Sequence, residues 1–526
     1  MTRPDPRIIA ICIEVAGPEL METWLDAGWM PNLARVRDQG AWCRLRSVSD
    51  ISSGSIWPSF STGVMPSRHG QFFTHMQLQS GSYRVVKKYA DDLPRESFWV
   101  VLDRAGKRSA LIDVPQSRPV SGFAGVHVAG WGGEYPAWPQ SSEPAALMPE
   151  ILRRFGRHPL AEQYRLVGKP ENEAAYEALR RDLLEGARTK ASLSRWILER
   201  EPYDLFLTVF AETHWAMHLL WDMIDPQHPE HNPQLARRHA ISFREICSTI
   251  DAFIGETWAR RPDSALVVFS LSGMGANYSG WHVLSEVLTR LGLGPTGSGA
   301  APGVQWSPLR RYGPWTMRAI ENLASPRLIE AAKAAVPGRL WDRWTRRLIF
   351  AGSGWRDSRA FWLPNDYTGA IRVNLKGREP NGVVAPGVEY DSLCSGLADA
   401  MQELVNIDTG QPAVREVLRT RGALPGEYTD DLPDLLVVWA SDAPIRGVRS
   451  PKVGEIRCVS PERRTGAHRR DGFLAATGGR FAAGTRCESA NIVDLAPTFL
   501  HILDVEPPGD WDGRVLSSLL SPSPGR

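Results

Sequence analysis

Two histidines four residues apart are the first candidates for chemistry in this chain. His214 and His218 lie in VFAETHWAMHLLWDM, whose apolar spacing predicts a half-buried amphipathic helix. Side chains at positions i and i+4 project from one helical face, so two imidazoles at this spacing can reach a single metal ion. Two histidines that merely share a helical surface show the same spacing, so the pair alone leaves both interpretations open.

A third histidine, His468, lies in RRTGAHRRDGFLAATGG, a polar and glycine-flanked loop before a short apolar strand. Irregular segments of this kind often carry functional groups, although an exposed loop histidine is the alternative. Three histidines would leave one coordination position of a divalent ion open. An ion held in this way can acidify a water molecule or polarise a phosphoryl oxygen.

A serine-rich segment, SVSDISSGSIWPSFSTGVMPSRHG at 47–70, supplies a candidate nucleophile. Its serines crowd the start of an apolar periodic stretch, where one of them could lie at a helix N-terminus. The backbone N–H groups and the helix dipole favour an oxyanion or a phosphate at that position. A simple N-cap is the alternative, because serine is among the preferred capping residues.

Buried strands that alternate with helices must position these residues. RIIAICIEVAG near the N-terminus and the stretches 203–212, 265–273 and 432–440 are apolar runs of strand length. This alternation predicts an α/β fold with a mostly parallel central sheet and helices on both faces. Ligands bind beyond the carboxyl ends of such strands, and Glu14 and His214 follow two of the predicted strands. We therefore expect them to meet in one crevice.

The composition along the chain divides it into three parts. Residues 1–277 are expected to form the first part of the core, and residues 361–526 to complete it and to supply the loop with His468. Between them, 278–360 has Gly and Pro breaks followed by helical sequence rich in Trp and Arg, which predicts an inserted helical cap. Near the N-terminus, 18–40 is predicted to be helical and to end at Gly40.

The overall composition favours a small-molecule substrate. The 526 residues are 43% hydrophobic, enough for a large core, and 61 Lys and Arg against 59 Asp and Glu give a net charge of +2. That balance provides no broad basic field for a nucleic acid or a membrane surface, while leaving an anionic small molecule open. Six cysteines without a CxxC pair, no signal-peptide pattern and no long apolar run predict a cytoplasmic protein. The sequence does not set the oligomeric state.

Taken in order, these segments resemble the alkaline phosphatase superfamily, and specifically its type I phosphodiesterase/nucleotide pyrophosphatase branch. The matching pieces are IAICIEVAG, SGSIWPSFSTGVMPSRHG, ETHWAMH, SLSGMG and GAHRRDG, and the ending NIVDLAPTFLHILDVEPPGDWDGRVL is similar to the closing signature of these proteins. The resemblance implies an alkaline-phosphatase-like three-layer sandwich with a mostly parallel central sheet.

The resemblance also implies roles for single residues. Glu14 takes the place of the first metal-binding Asp, as a ligand or a general base, and Ser53 falls where the nucleophile is expected. His214 stands where the family has an Asp ligand, while His218 and His468 keep the family's histidines. One metal site would therefore survive, with three histidines in place of one Asp and two histidines.

The second metal site of the family is altered in this chain. Leu271 and Ser272 precede Gly273 where the family has Asp and His, so a carboxylate and an imidazole are replaced by groups that bind divalent ions poorly. The metal at that position would normally activate the nucleophile. Phosphoryl transfer with two metals is therefore not expected of this sequence.

Three functions remain open at this point. The first is hydrolysis of a small-molecule phosphate or sulfate ester with one three-histidine ion, for which zinc is the first choice and iron or manganese are alternatives. The second keeps the fold and the ion but has non-phosphoryl chemistry in a specialised biosynthetic pathway. The third is an inactive relative that binds a ligand or a partner.

Overall fold

The computed structural model has a central sheet between two layers of helices, with smaller sheets beside it. It describes residues 6–73, 77–79, 81–86, 93–132, 140–162, 169–294, 355–363, 365–458, 460 and 463–521. In these ranges the helices are α1 (Pro18–Asp26), α2 (Pro31–Gln39), α3 (Ile56–Thr62), α4 (Pro66–His69), α5 (Phe98–Arg104), α6 (Leu147–Phe155), α7 (Glu173–Leu198), α8 (Glu212–Ile224), α9 (Pro233–His239), α10 (Ile241–Arg260), α11 (Leu284–Arg290), α12 (Val388–Gln402), α13 (Thr420–Ala423) and α14 (Leu495–Ile502).

The strands of the same ranges belong to five sheets. They are β1 (Ile8–Ile13), β2 (Ala41–Arg46), β3 (Gln77–Leu78), β4 (Val85–Val86), β5 (Ser109–Ile112), β6 (Gly125–Ala129), β7 (Ser141–Glu143), β8 (Leu205–Phe210), β9 (Ala265–Ser270), β10 (Gly273–Ala276), β11 (Ala360–Leu363), β12 (Gly369–Val373), β13 (Val405–Asn406), β14 (Val414–Arg419), β15 (Leu435–Trp439), β16 (Gly447–Ser450), β17 (Gly454–Arg457), β18 (Gly466–Arg469), β19 (Asp471–Thr477) and β20 (Arg486–Asn491).

The central sheet has nine strands in the order β20, β2, β19, β9, β1, β8, β5, β6 and β7. All of them run in one direction except β19 and β7, which pair antiparallel with their neighbours. The predicted α/β fold with a mostly parallel central sheet is thus confirmed. Since β1, β8 and β9 lie in the middle of this sheet, we expect a functional site at the edge where these strands end.

Apolar runs on the central strands explain why helices cover both faces of the sheet. Every residue of β1 is buried, and Ile9, Ile11 and Ile13 pack with side chains of α1, α2, α7, α8 and α10. The alternate residues of β1 point to the opposite face and pack with α3, α5 and α14. Successive side chains of a strand face opposite sides, so one continuous apolar run contributes side chains to the hydrophobic cores on both faces of the sheet.

Two predictions about single elements need correction. The stretch 18–40 contains two helices, because Gly28 adopts a φ of 74° and Pro31 starts a new helix, although the second one does end at Gly40 as predicted. The predicted strand at 432–440 exists as β15, but it pairs antiparallel with β12 and β14 in a separate four-stranded sheet. Its apolar run therefore lies outside the parallel sheet.

The predicted helical cap at 278–360 falls largely outside the described residues, since 295–354 is not among them. The described start of this segment includes α11, whose Leu284 and Val287 pack with Ile371 in the core of the four-stranded sheet. The division into 1–277, 278–360 and 361–526 stays a prediction. Within the described part of the chain, no helix combines the length and the apolarity that crossing a bilayer requires.

Candidate metal centre

Three segments meet at the edge where the parallel strands of the central sheet end. Glu14 directly follows β1, and α8, which carries His214, begins two residues after the end of β8. The antiparallel strand β19 begins at this same edge, so β18, immediately before it, lies here as well. β18 pairs with β10, and His468 is opposite Met274 in that pairing. The strand directions thus bring distant parts of the sequence together.

The three histidines singled out by the sequence lie next to one another. The ring centroids of His214 and His218 are 4.6 Å apart, and those of His468 are 5.0 and 5.2 Å from them. One ligand nitrogen of each imidazole lies within 4.8 Å of the other two. The first two rings are buried on α8, while the third is partly buried. The structure therefore brings together three imidazoles that could hold one ion.

Hydrogen bonds orient two of these rings. His218 Nδ1 donates to the carbonyl oxygen of Gly466 at 2.8 Å, which leaves the lone pair of this imidazole on Nε2. His468 Nδ1 lies 3.2 Å from the hydroxyl oxygen of Ser272. Hydrogen bonds of this kind on the second ring nitrogen fix the orientation of metal-binding histidines in many proteins.

Burial keeps two of the three imidazoles neutral. It lowers the pKa of His218 and of His468 well below the ordinary range, and the neighbouring His214 and Arg464 lower both further. At neutral pH, one nitrogen of each of these two rings is therefore unprotonated. Histidine binds a metal only in that neutral form, so these two rings are already in the protonation state that ligation requires.

The donor set fits a divalent ion. Zinc–nitrogen bonds of about 2.0–2.1 Å in a tetrahedral arrangement place neighbouring ligand nitrogens about 3.3 Å apart. The three nitrogens lie within 4.8 Å of one another, so small side-chain movements would close the set around an ion. His214, His218 and His468 are the residues that would hold it, and imidazole ligands suit zinc in particular.

Glu14 supports the cluster from one side. It is 5% exposed, its Oε2 lies 3.2 Å from His214 Nδ1, and its Oε1 accepts a hydrogen bond of 2.9 Å from the indole of Trp57. The group of ligand atoms within 4.8 Å of one another contains the three histidines without Glu14. Glu14 therefore contacts the cluster through His214, as an orienting carboxylate would, and its role as a ligand or a general base stays a prediction.

Ser53 lies at the start of a short 3-10 turn that leads into α3. The adjacent Ser52 takes the capping role, since its hydroxyl accepts from the backbone N–H of Gly54 at 3.2 Å. Ser53 instead donates its hydroxyl to a carboxylate oxygen of Asp366. Serine, glutamate and histidine meet here, because Ser53, Glu14 and His468 line one small cavity.

Asp366 and Tyr367 are site residues that the sequence reasoning missed. They follow β11 in a loop that Asn365 ties to the backbone oxygen of Ile51, next to the serine segment, at 2.9 Å. The Tyr367 hydroxyl lies 3.3 Å from His218 Nδ1, and its ring stacks at 26° on that imidazole. The only sequence signal was a polar Asn-Asp pair that follows an apolar strand after a single proline.

The two residues that the resemblance places at a second metal position line a small cavity. Leu271 and Ser272, which replace the expected Asp and His, line a cavity of about 10 Å³ together with Ser53 and His468. A cavity of this size has room for about one water molecule. Ser272 contacts His468 through its hydroxyl group, so it belongs to the surroundings of the three-histidine cluster.

Comparison with known proteins decides the family. The model of the type I phosphodiesterase/nucleotide pyrophosphatase family matches residues 8–452. The chain belongs to this family. The resemblance drawn from the sequence motifs is thus confirmed, and the protein is a metallo-hydrolase of the phosphodiesterase type whose reaction the family alone does not define.

A solved structure of murine ectonucleotide pyrophosphatase/phosphodiesterase 5, an inactive variant in complex with AMP, is similar to the chain with a TM-score of 0.45 and 13% identity. The alignment covers 98% of this chain and 100% of the murine one. This similarity is too low for a comparison of single site residues. No curated protein sequence matches the chain closely enough to count as a relative.

Proposed function

We propose that this member of the family hydrolyses a small-molecule phosphate or sulfate ester with one divalent ion, zinc as first choice, held by three histidines. The observation that carries the proposal is the cluster of His214, His218 and His468. Ser53 and its carboxylate partner Asp366 lie beside it, because Ser53 and His468 line the same cavity.

Ser53 is the nucleophile in this proposal, and Asp366 is its general base. The Ser53 oxygen bonds to the phosphorus or sulfur of the ester while its proton passes to the Asp366 carboxylate, and Asp366 then gives this proton to the departing alkoxide, which leaves as the alcohol. Water next attacks the phosphorus or sulfur and passes a proton to Asp366. The bond to the Ser53 oxygen breaks, phosphate or sulfate is released, and Ser53 takes the proton back from Asp366. The direct contact between Ser53 and the Asp366 carboxylate activates the serine, a role that the second metal has in two-metal relatives.

The chain's other groups position the reacting atoms. When bound, the ion would polarise an ester oxygen and stabilise the negative charge that develops on it. Glu14 holds the ring of His214, and the carbonyl of Gly466 holds that of His218. Tyr367 stacks on the second ring and closes the cluster on the side of the Asp366 loop.

A panel of esters tests the proposal. Phosphodiesters, nucleotide pyrophosphates, phosphomonoesters and sulfate esters are incubated with zinc-, iron- and manganese-loaded protein. Ser53→Ala should lower kcat/KM by at least about a hundredfold, and Asp366→Asn by about 10²–10⁴-fold, the usual contribution of a general base. Ser192→Ala, which removes a partly buried hydroxyl on α7, is the matched control and should behave as the parent.

The same panel separates the alternatives. Protein that retains one ion but turns over no ester with any metal would favour a non-phosphoryl reaction of a specialised pathway. Protein that retains no ion and turns over nothing would favour an inactive, ligand-binding relative. Equal rates for the parent and Ser53→Ala would remove Ser53 from the mechanism even if esters are hydrolysed.

A further inference from the structure

An arginine-lined cavity lies beside β18, and none of the three clustered histidines is among the described residues that line it. Arg469 follows His468 on this strand and lines the cavity, while the ring of His468 contacts the imidazoles of α8. The cavity has a volume of about 660 Å³, within the range of small-molecule sites. Arg46, Arg415 and Arg470 line it together with Arg469.

Two of these arginines have no carboxylate partner in the part of the chain that the structure describes. Among the described residues, neither Arg46 nor Arg469 forms an ion pair. Arg469 instead donates to the carbonyl oxygens of Ala276 and, at 3.1 Å, of His468. Its side chain lies against Gly275, where a Cβ would come within 2.6 Å of Arg469 Nε. A guanidinium held by carbonyls keeps its full positive charge, which is costly to enclose without an anion.

The remaining charges around the cavity leave a positive excess. Asp50 is shared by Arg415 at 3.2 Å and Arg470 at 2.5 Å. Glu19 and Asp471 both pair with a fifth arginine, Arg44, at 2.5 and 2.7 Å. Five guanidinium groups thus face three carboxylates, so two positive charges are not balanced by the described side chains. Planar guanidinium groups bind phosphate and carboxylate in bidentate fashion.

Apolar side chains also line the cavity. They belong to Leu20 of α1, Trp221 of α8 and Met274 of β10. An indole and a thioether offer flat or adaptable surfaces to an aromatic or aliphatic group. The lining therefore combines cationic and apolar side chains, which suits an anion with a hydrophobic body better than a bare inorganic ion.

We propose that this cavity is a binding site for a small organic anion, in which Arg46, Arg415, Arg469 and Arg470 bind a phosphoryl or similar oxyanion group and Trp221 and Met274 contact its apolar part. The site is distinct from the three-histidine cluster and does not depend on the proposed hydrolysis. The cavity binds either a second, separate ligand or a distant part of one large ligand.

Isothermal titration calorimetry with two non-hydrolysable probes, phenylphosphonate and methylphosphonate, tests this site. The parent should bind phenylphosphonate saturably and at least several-fold more tightly than methylphosphonate, because only the former has an aromatic ring to pack on the apolar side chains. Arg46→Gln should weaken binding of phenylphosphonate by about tenfold, the loss expected for one charged hydrogen bond. Arg181→Gln, which changes an arginine of 71% exposure outside the cavity, is the matched control and should bind as the parent.

A variant of the histidine cluster shows whether the two sites are separate. Binding to His218→Ala should equal binding to the parent, since His218 is not among the described residues that line the cavity. The proposal is overturned by equal binding to Arg46→Gln and Arg181→Gln, by loss of binding in His218→Ala, or by no saturable binding to the parent. Ester turnover does not enter this test, so its failure would leave the proposed hydrolysis standing.

Discussion

Replacement of Glu14 by glutamine measures how strongly a buried carboxylate supports the histidine cluster. Its two oxygens lie 3.2 Å from His214 Nδ1 and 2.9 Å from Trp57 Nε1, and the side chain is almost fully buried. A carboxylate accepts from both N–H groups at once. The amide of Glu14→Gln has a single acceptor oxygen, so its NH₂ group must face one of the two donors.

The expected loss follows from these contacts. Removing a carboxylate that orients a metal-binding histidine typically weakens metal affinity by about 10–100-fold, or about 1.4–2.8 kcal/mol. The zinc affinity of Glu14→Gln is measured by competition with a fluorescent chelator, with His218→Ala as the reference for loss of a ligand. Glu14→Gln/Trp57→Phe is the second control: without the indole donor, the amide oxygen is available to His214, and part of the affinity should return.

Two results would refute this reasoning. Zinc affinity of Glu14→Gln within twofold of the parent would show that the hydrogen bond to His214 does not matter for the ion. A loss as large as that of His218→Ala would show that Glu14 is itself a ligand, as the sequence first suggested. Either result would change the assignment of Glu14 while leaving the three histidines in place.

Three further substitutions test the fold around the site. Burial lowers the pKa of His69 to about 3, against about 6.5 in an unfolded chain, so only the unfolded state binds a proton there between pH 6.5 and 3. This group therefore lowers the free energy of unfolding of the parent by about 1.4 kcal/mol for each pH unit of acidification in that range. In urea unfolding, His69→Gln should lose correspondingly less stability in acid, and an unchanged pH dependence would contradict the prediction. Lys190→Met leaves the buried carboxylate of Asp113 without its ammonium partner and should destabilise the fold by about 3–5 kcal/mol. Part of this stability should return in Lys190→Met/Asp113→Asn, and equal stability of the single and double variants would count against a buried ion pair. Gly40→Ala would place a Cβ 2.0 Å from the carbonyl oxygen of Ala476, so a clear drop in Tm is expected, and an unchanged Tm would contradict the close approach of α2 to β19.

The parallel sheet was predictable because its central strands are apolar on both faces. The runs at β1, β8 and β9 have the length and composition of buried strands, and the residues after them mark the edge of the sheet. β15 has the same composition but pairs antiparallel in another sheet. Burial on both faces determines the composition of a strand, but it does not determine which strand it pairs with or whether that pairing is parallel or antiparallel.

The site was predictable where spacing along one helix or a family motif marks it. His214 and His218 share a helical face, and His468 follows from the resemblance. Asp366 could not be found in this way, because a loop from a different sheet brings it to Ser53 and nothing in the local sequence records that contact. The role of Glu14 was open for a related reason: its hydrogen bonds to Trp57 and His214 depend on the packing of three separate elements.

The number of ions bound per chain tests the central claim most directly. Protein purified without added metal, then saturated with zinc and freed of excess, is analysed by elemental mass spectrometry alongside His214→Ala, His218→Ala and His468→Ala. The three-histidine account predicts one ion per parent chain and less than about a tenth of an ion in each variant, because a site that loses one of three imidazoles loses most of its affinity. Two ions per parent chain, or a full ion retained by any of the three variants, would contradict it.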